Sequence, residues 1–103
     1  MTTPDASREG GDIVYGIATT EGFERASKRF FRKHPDLRER FADVLVLLQR
    51  DPYAPSLRAH LLRGELAGYF GVSLTHDYCI LIIIRVTKCK VILLDIGTHD
   101  EVY

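Results

Sequence analysis

Cysteine is scarce in this chain. The 103 residues hold two, Cys79 and Cys89, too few for a disulfide framework, so a reducing interior is a more natural setting than a small secreted scaffold. Long hydrophobic runs are missing as well. The longest apolar stretch, around Cys79 to Ile84, is far too short to span a bilayer, and no membrane role is expected. Residues 1–11 carry Pro4, Ser7, Arg8 and Gly10-Gly11 with no apolar segment, which speaks against a secretory signal and for a flexible leader. There is no glycine-rich phosphate loop, no G-x-S-x-G elbow and no C-x-x-C pair, and none of the four histidines falls at the i, i+4 spacing of a zinc enzyme. Neither a metal nor another cofactor is therefore expected.

Net charge is also absent, but the zero conceals a segregation. Residues 25–63 hold ten basic side chains against four acidic ones, whereas residues 1–24 hold one against five. The chain closes on Asp95, Asp100 and Glu101. A basic middle reads either as a solvated helical face or as a patch for a polyanion, because local charge governs attraction to phosphate. Charge alone leaves both open.

What is present is enough for one core. A chain of this length buries roughly 60–70% of its unfolded surface, and 46% of the residues are hydrophobic. Residues 12–103 form a single expected domain. Ile13 to Ala18 is β-branched and aromatic and reads as a strand. Thr20 then suits a helix N-cap, with Glu21 and Glu24 against the positive helix end. Phe23, Ala26, Phe30 and Phe31 fall on one helical stripe. Lys33-His34-Pro35 interrupts it, and a second helix shows Leu37, Phe41, Val44, Leu45 and Leu48 on one face before stopping at Asp51-Pro52. Leu57 to Gly64 has no clear period and reads as loop or short strand. Leu66 to Leu74, Tyr78 to Val86 and Cys89 to Ile96 read as strands, with a turn at His76-Asp77. The order is β-α-α-β-β-β: an α+β domain in which a helical hairpin packs on a mainly antiparallel sheet.

If Thr87-Lys88 is a two-residue hairpin loop, one sheet face carries Leu81, Ile83, Ile92 and Leu94, and the other Ile80, Ile82, Ile84, Val91 and Leu93. Both faces are apolar. Two helices cover only one, which leaves the other to irregular chain or to a protein partner. The same register sets Cys79 near Ile96 and Cys89 near Val86, too far apart to bond.

Among the histidines, His34 is expected at a helix cap and His76 in a turn. His99 differs, because nothing about folding asks for an imidazole just past the last strand. The meander carries Asp77 and His99 to the same end of the sheet. With the Tyr103 phenol they are the right groups for proton transfer, although an ordinary polar tail has the same composition.

The pieces His60-Leu61-Leu62-Arg63-Gly64, Gly68-Tyr69, Asp77-Tyr78 and Gly97-Thr98-His99-x-x-x-Tyr103, with the Phe31 to Arg38 region before them, resemble the RelE/ParE superfamily of bacterial toxins. Within it they are most similar to the YafQ-type messenger-RNA endoribonucleases. The resemblance implies a RelE-like, microbial-RNase-like fold and a ribosome-dependent nuclease restrained by a cognate antitoxin. Such an enzyme sets the ribose 2′-OH on the adjacent phosphate, leaving a 2′,3′-cyclic phosphate and a 5′-OH without a metal. Its partners would be the antitoxin, the ribosome and mRNA, in the cytoplasm. Carried over by position, His60, Asp77 and His99 match family catalytic residues, and Tyr103 matches an aromatic that holds the scissile nucleotide. Arg58 and Arg63, taken from the basic segment, are candidates for phosphate contact.

Two positions depart from the pattern. Ser73 stands where the YafQ type has another catalytic histidine. Cys79 stands where many relatives have arginine, and a thiol lacks arginine's planar charged fork. Two alternatives follow: a ParE-like toxin that poisons DNA gyrase, against which the His60 and His99 pair argues, and a weakened homologue that only binds its antitoxin.

Overall fold

The computed structural model describes residues 14–62, 64 and 68–102. The expected leader, Ile13, Arg63, Leu66 and Tyr103 lie outside the described residues. The first strand, β1, is Gly16–Thr19. It starts later than the composition suggests because the Val14 and Tyr15 amides both donate to the carbonyl of Gln49, which takes them out of the sheet ladder.

Thr20 caps the helix that follows, α1 (Glu21–Lys33), accepting from the Phe23 amide at 3.0 Å. This satisfies one of the orphan donors of the first turn. All four stripe residues, Phe23, Ala26, Phe30 and Phe31, are buried. The helix ends at His34, whose amide still bonds Phe30, and Pro35–Leu37 form one 3₁₀ turn before α2 (Arg38–Arg50). Phe41 of α2 meets Phe23 and Phe31 of α1 with ring centroids 6.1 and 5.1 Å apart. Such pairs contribute about 0.5–1.5 kcal/mol beyond area burial, and they fasten the hairpin. Asp51 leaves the helix in an extended conformation and Pro52 prevents its continuation.

A second 3₁₀ turn, Pro55–Leu57, leads to the two-residue strand β2 (His60–Leu61), within the segment whose character the sequence left open. The remaining strands are β3 (Phe70–Ser73), β4 (Cys79–Arg85) and β5 (Lys90–Gly97), and a short helix, α3 (His99–Val102), closes the described chain. The five strands lie in the order β1-β5-β4-β3-β2. β1 runs parallel to β5, and every other neighbouring pair is antiparallel.

The hairpin register of β4 and β5 is the expected one near the turn, with Arg85 opposite Lys90 and Ile83 opposite Ile92. The turn itself spans residues 86–89 rather than Thr87-Lys88 alone, and Cys89 takes a left-handed φ of 51°. Further along, Ile82 pairs with Leu93 but Leu81 pairs with Asp95, so Leu94 is an extra residue. This bulge moves Cys79 opposite Gly97 instead of Ile96. It also lets Leu93 and Ile96, three residues apart, both enter the core beneath the helices.

That core takes Ile80, Ile82, Val91 and Leu93 from the sheet and Phe30, Val44 and Leu48 from the helices, with Leu48, Ile80, Ile82 and Val91 at 0% exposure. The other sheet face is partly closed. Cys79, Leu81 and Val102 of α3 form a second buried cluster with Leu62, Tyr69 and Leu94 against it. Ile83 and Ile92, toward the turn, stay half-buried. Among the described residues no helix is long and apolar enough to cross a membrane.

Candidate active site

Four residues build the carrier of His99. Gly97 ends β5, and Thr98 and Glu101 then cap α3 reciprocally: the Thr98 amide donates to Glu101 Oε1 at 2.9 Å, and the Glu101 amide donates to Thr98 Oγ1 at 3.2 Å. This is a capping box, which satisfies the end donors of a helix too short to persist alone. The bond from the Thr98 amide holds the Glu101 carboxyl below its ordinary pKa, and Lys33 and Arg29 act in the same direction. Val102, 8% exposed, anchors the far end on Cys79 and Leu81. Cap and anchor account for four residues of the C-terminal motif and leave His99 exposed on the first turn.

Sheet register places the other candidates. His60 pairs with Gly71, Gly71 with Leu81, and Leu81 with Asp95; one rank further on, Ser73 pairs with Cys79 and Cys79 with Gly97. Residues directly opposite one another share a face. Leu81 and Cys79 belong to the cluster away from the helical hairpin, so His60 and Ser73 belong to that face too, the face on which α3 packs. His60 and His99 thus flank one surface, His60 from the edge strand and His99 from the helix after β5. Asp77 is exposed in the turn before β4, two residues beyond the Cys79–Gly97 pair, at the end of the sheet where α3 begins. Its amide donates to Thr75 Oγ1 at 3.2 Å. His60 Nδ1 lies 3.3 Å from the Arg58 carbonyl oxygen, a hydrogen bond when that nitrogen carries the proton. Arg63 and Tyr103 lie outside the described residues, so this geometry does not extend to them.

The two remaining histidines separate. His34 packs its ring on Phe30 and Tyr78, centroids 4.7 and 4.8 Å away, a structural place beside a helix end. This trio borders a cleft of about 500 Å³ whose rim sets Arg29 and Lys33 against Asp95 and Glu101. His76 is exposed, and it borders a smaller cleft of about 240 Å³ with Arg40, Ser56, Arg58 and Ser73. Sequence spacing gives no reason to group Arg40 and Ser56 with His76, because they meet only through the fold. The α3 capping box was visible as Thr98-x-x-Glu101, a signal obscured by its position at the chain end.

Cys79 is buried at 2% exposure, and its thiol donates to Gly97 O at 3.6 Å. Among the described residues no three His, Cys, Asp or Glu side chains group closely enough to hold a metal ion.

A short helical hairpin on a five-stranded sheet, with a histidine-bearing C-terminal helix packed on the opposite face, defines a RelE-like toxin fold. The family described as bacterial toxin of type II toxin-antitoxin system, YafQ, matches residues 15–103. The chain belongs to that family. Among solved structures it is similar to YafQ from E. coli strain BL21(DE3), with TM-score 0.73, 16% identity, and coverage of 86% of this chain and 98% of that one. A metal-bound toxin from Helicobacter pylori superposes with TM-score 0.69 and 25% identity over 86% of this chain and 99% of that one. The E. coli DinJ-YafQ toxin-antitoxin complex gives TM-score 0.71 and 17% identity over 88% of this chain and 99% of that one. No curated protein sequence matches the chain.

Proposed function

We propose that this toxin is a ribosome-dependent mRNA endoribonuclease that acts in the cytoplasm, arrests translation and is held silent by a cognate antitoxin. The observation that supports this best is the shared face: His60 and the helix carrying His99 flank one side of the sheet, with Asp77 at its rim. In-line transesterification needs a group to take the 2′-OH proton and another to protonate the departing 5′ oxygen. His60 takes the first role, as base or as positioner of the 2′-OH, and His99 the second, with Asp77 orienting an imidazole or serving as the base itself. The O2′–P bond forms as the P–O5′ bond breaks, and the products are a 2′,3′-cyclic phosphate and a free 5′-OH. Arg58 and Arg63 contact backbone phosphates of the RNA, and Tyr103 holds the scissile nucleotide by stacking. The reaction runs on protein groups alone and calls for no metal.

Antitoxin restraint is supported by the family and by E. coli YafQ, which is found in complex with DinJ. The half-buried Ile83 and Ile92, on the sheet face shared with Leu81, offer an extended partner apolar ground toward the β4–β5 turn.

Induction of the chain in a bacterium, with mapping of messenger 5′ ends, tests the reading. Translation stops and transcripts are cut within ribosomes, and His99→Ala removes both effects from a folded protein. A DNA-damage response with intact messages would instead identify a gyrase poison, and harmless expression a partner that only binds its antitoxin.

A further inference from the structure

We infer that the small cleft formed by Arg40, Ser56, Arg58, Ser73 and His76 binds a backbone phosphate of the RNA next to the one that is cut. The inference rests on the nuclease reading for its ligand, but its evidence is separate. Every residue lining the cleft brings a hydrogen-bond donor, with two guanidinium groups, an imidazole and two hydroxyls, and no carboxylate lines it. The larger cleft is different, because Asp95 and Glu101 already answer Arg29 and Lys33 there. No carboxylate in the lining answers the positive charge at the small cleft, whereas two do at the large one, and an anion is drawn to the former.

The donors are also held in place. Arg40 Nε donates to the carbonyl of Leu74 at 2.9 Å, which fixes the plane of the guanidinium and leaves its terminal nitrogens for a ligand. Arg58 sits at φ 52° and ψ 40° after the 3₁₀ turn, where its amide bonds Pro55 at 3.1 Å. Its carbonyl is the group that His60 Nδ1 approaches. Cleft and candidate base therefore share a residue, and Arg58 and His60 are two residues apart in the chain, at most about 7 Å between their Cα atoms. Ser73 joins the two places from the next strand, since it lies on the His60 face by register. A strand of RNA crossing that face would set successive phosphates at His60 and at the cleft.

Ring-proton NMR of the four histidines in the full chain tests this without any cleavage. The probes are inorganic phosphate and a short 2′-O-methyl oligoribonucleotide, which cannot be cut. The His76 signal shifts with both, and saturates at about tenfold lower concentration with the oligonucleotide. Arg58→Met, whose side chain makes no hydrogen bond among the described residues, weakens oligonucleotide binding about tenfold, as expected for a charge-assisted contact. It also lowers the slope of log affinity against log salt by about one. Arg40→Lys retains part of the affinity that Arg40→Met loses. A silent His76, or unchanged affinity and slope in Arg58→Met, overturns the inference. A response to phosphate with no gain from the oligonucleotide overturns the assignment to RNA. Cleavage of messages with His76 silent removes the cleft and leaves the nuclease reading, whereas the full binding response without cleavage does the reverse.

Discussion

Gly97 and Glu101 are placed so that a Cβ on the glycine would stand 2.6 Å from the glutamate Oε1. The last residue of the sheet must therefore lack a side chain for the carboxylate to reach the Thr98 amide. Gly97→Ala is expected to displace the Glu101 carboxylate rather than the strand, because the obstructing atom is the end of a flexible side chain. The cap then opens and α3 frays. Hydrogen exchange at the Glu101 and Val102 amides, both of which bond Thr98, should accelerate while the β4 amides remain protected.

The same carboxylate gives α3 a pH dependence with a defined sign. The folded pKa of Glu101 is depressed, so its support is complete above the ordinary carboxylate range and is lost as pH falls through the folded value. The protection factor of the Val102 amide, its exchange relative to unstructured chain at the same pH, should fall on acidification in the wild type, and Glu101→Gln should flatten that fall.

The two thiols should report on their surroundings. Cys89 is exposed and Cys79 buried, and both are free. A thiol reagent is expected to modify one cysteine in the native chain and two in denaturant. Cys89→Ser should leave the native chain unreactive.

Core and surface leucines separate sharply. Leu48 is fully buried between the helices and the sheet, while Leu61 on the edge strand is 60% exposed. Leu48→Ala should cost about 2–5 kcal/mol in denaturant unfolding, and Leu61→Ala no more than about 0.5 kcal/mol.

Much of this architecture was legible because it rests on periodicity. The Phe23 to Phe31 stripe, the Thr20 cap, the stop at Asp51-Pro52 and the alternating faces of β4 and β5 are local patterns, and the structure carries each of them. Errors arose where a distant partner decided. Val14 and Tyr15 have strand-like side chains, yet their amides are taken by Gln49. The bulge at Leu94 follows from the need to bury Leu93 and Ile96 together, a demand set by the helices above them. The four-residue turn around Cys89 kept the expected register, so only its length differed.

The candidate site divides in the same way. The convergence of Asp77 and His99 at one sheet end followed from counting along the meander. The placement of His60 did not, because β2 has only two residues and its partner strand cannot be read from them. Arg40 gave no signal either: on α2 it looks like one more solvated cation, and only the Leu74 carbonyl aims it toward Arg58 and His76.

The central claim is that His60 and His99 act from one sheet face on a single phosphodiester. Purified ribosomes programmed with one message, incubated with the wild type, His60→Ala and His99→Ala, test it through the rate and the chemistry of the cut ends. The account predicts a 2′,3′-cyclic phosphate and a 5′-OH at the cut. It also predicts that each alanine variant, with an unchanged circular dichroism spectrum, slows cleavage by about 10²-fold or more. Undiminished cleavage by His99→Ala, or ends bearing a 5′-phosphate, would contradict it.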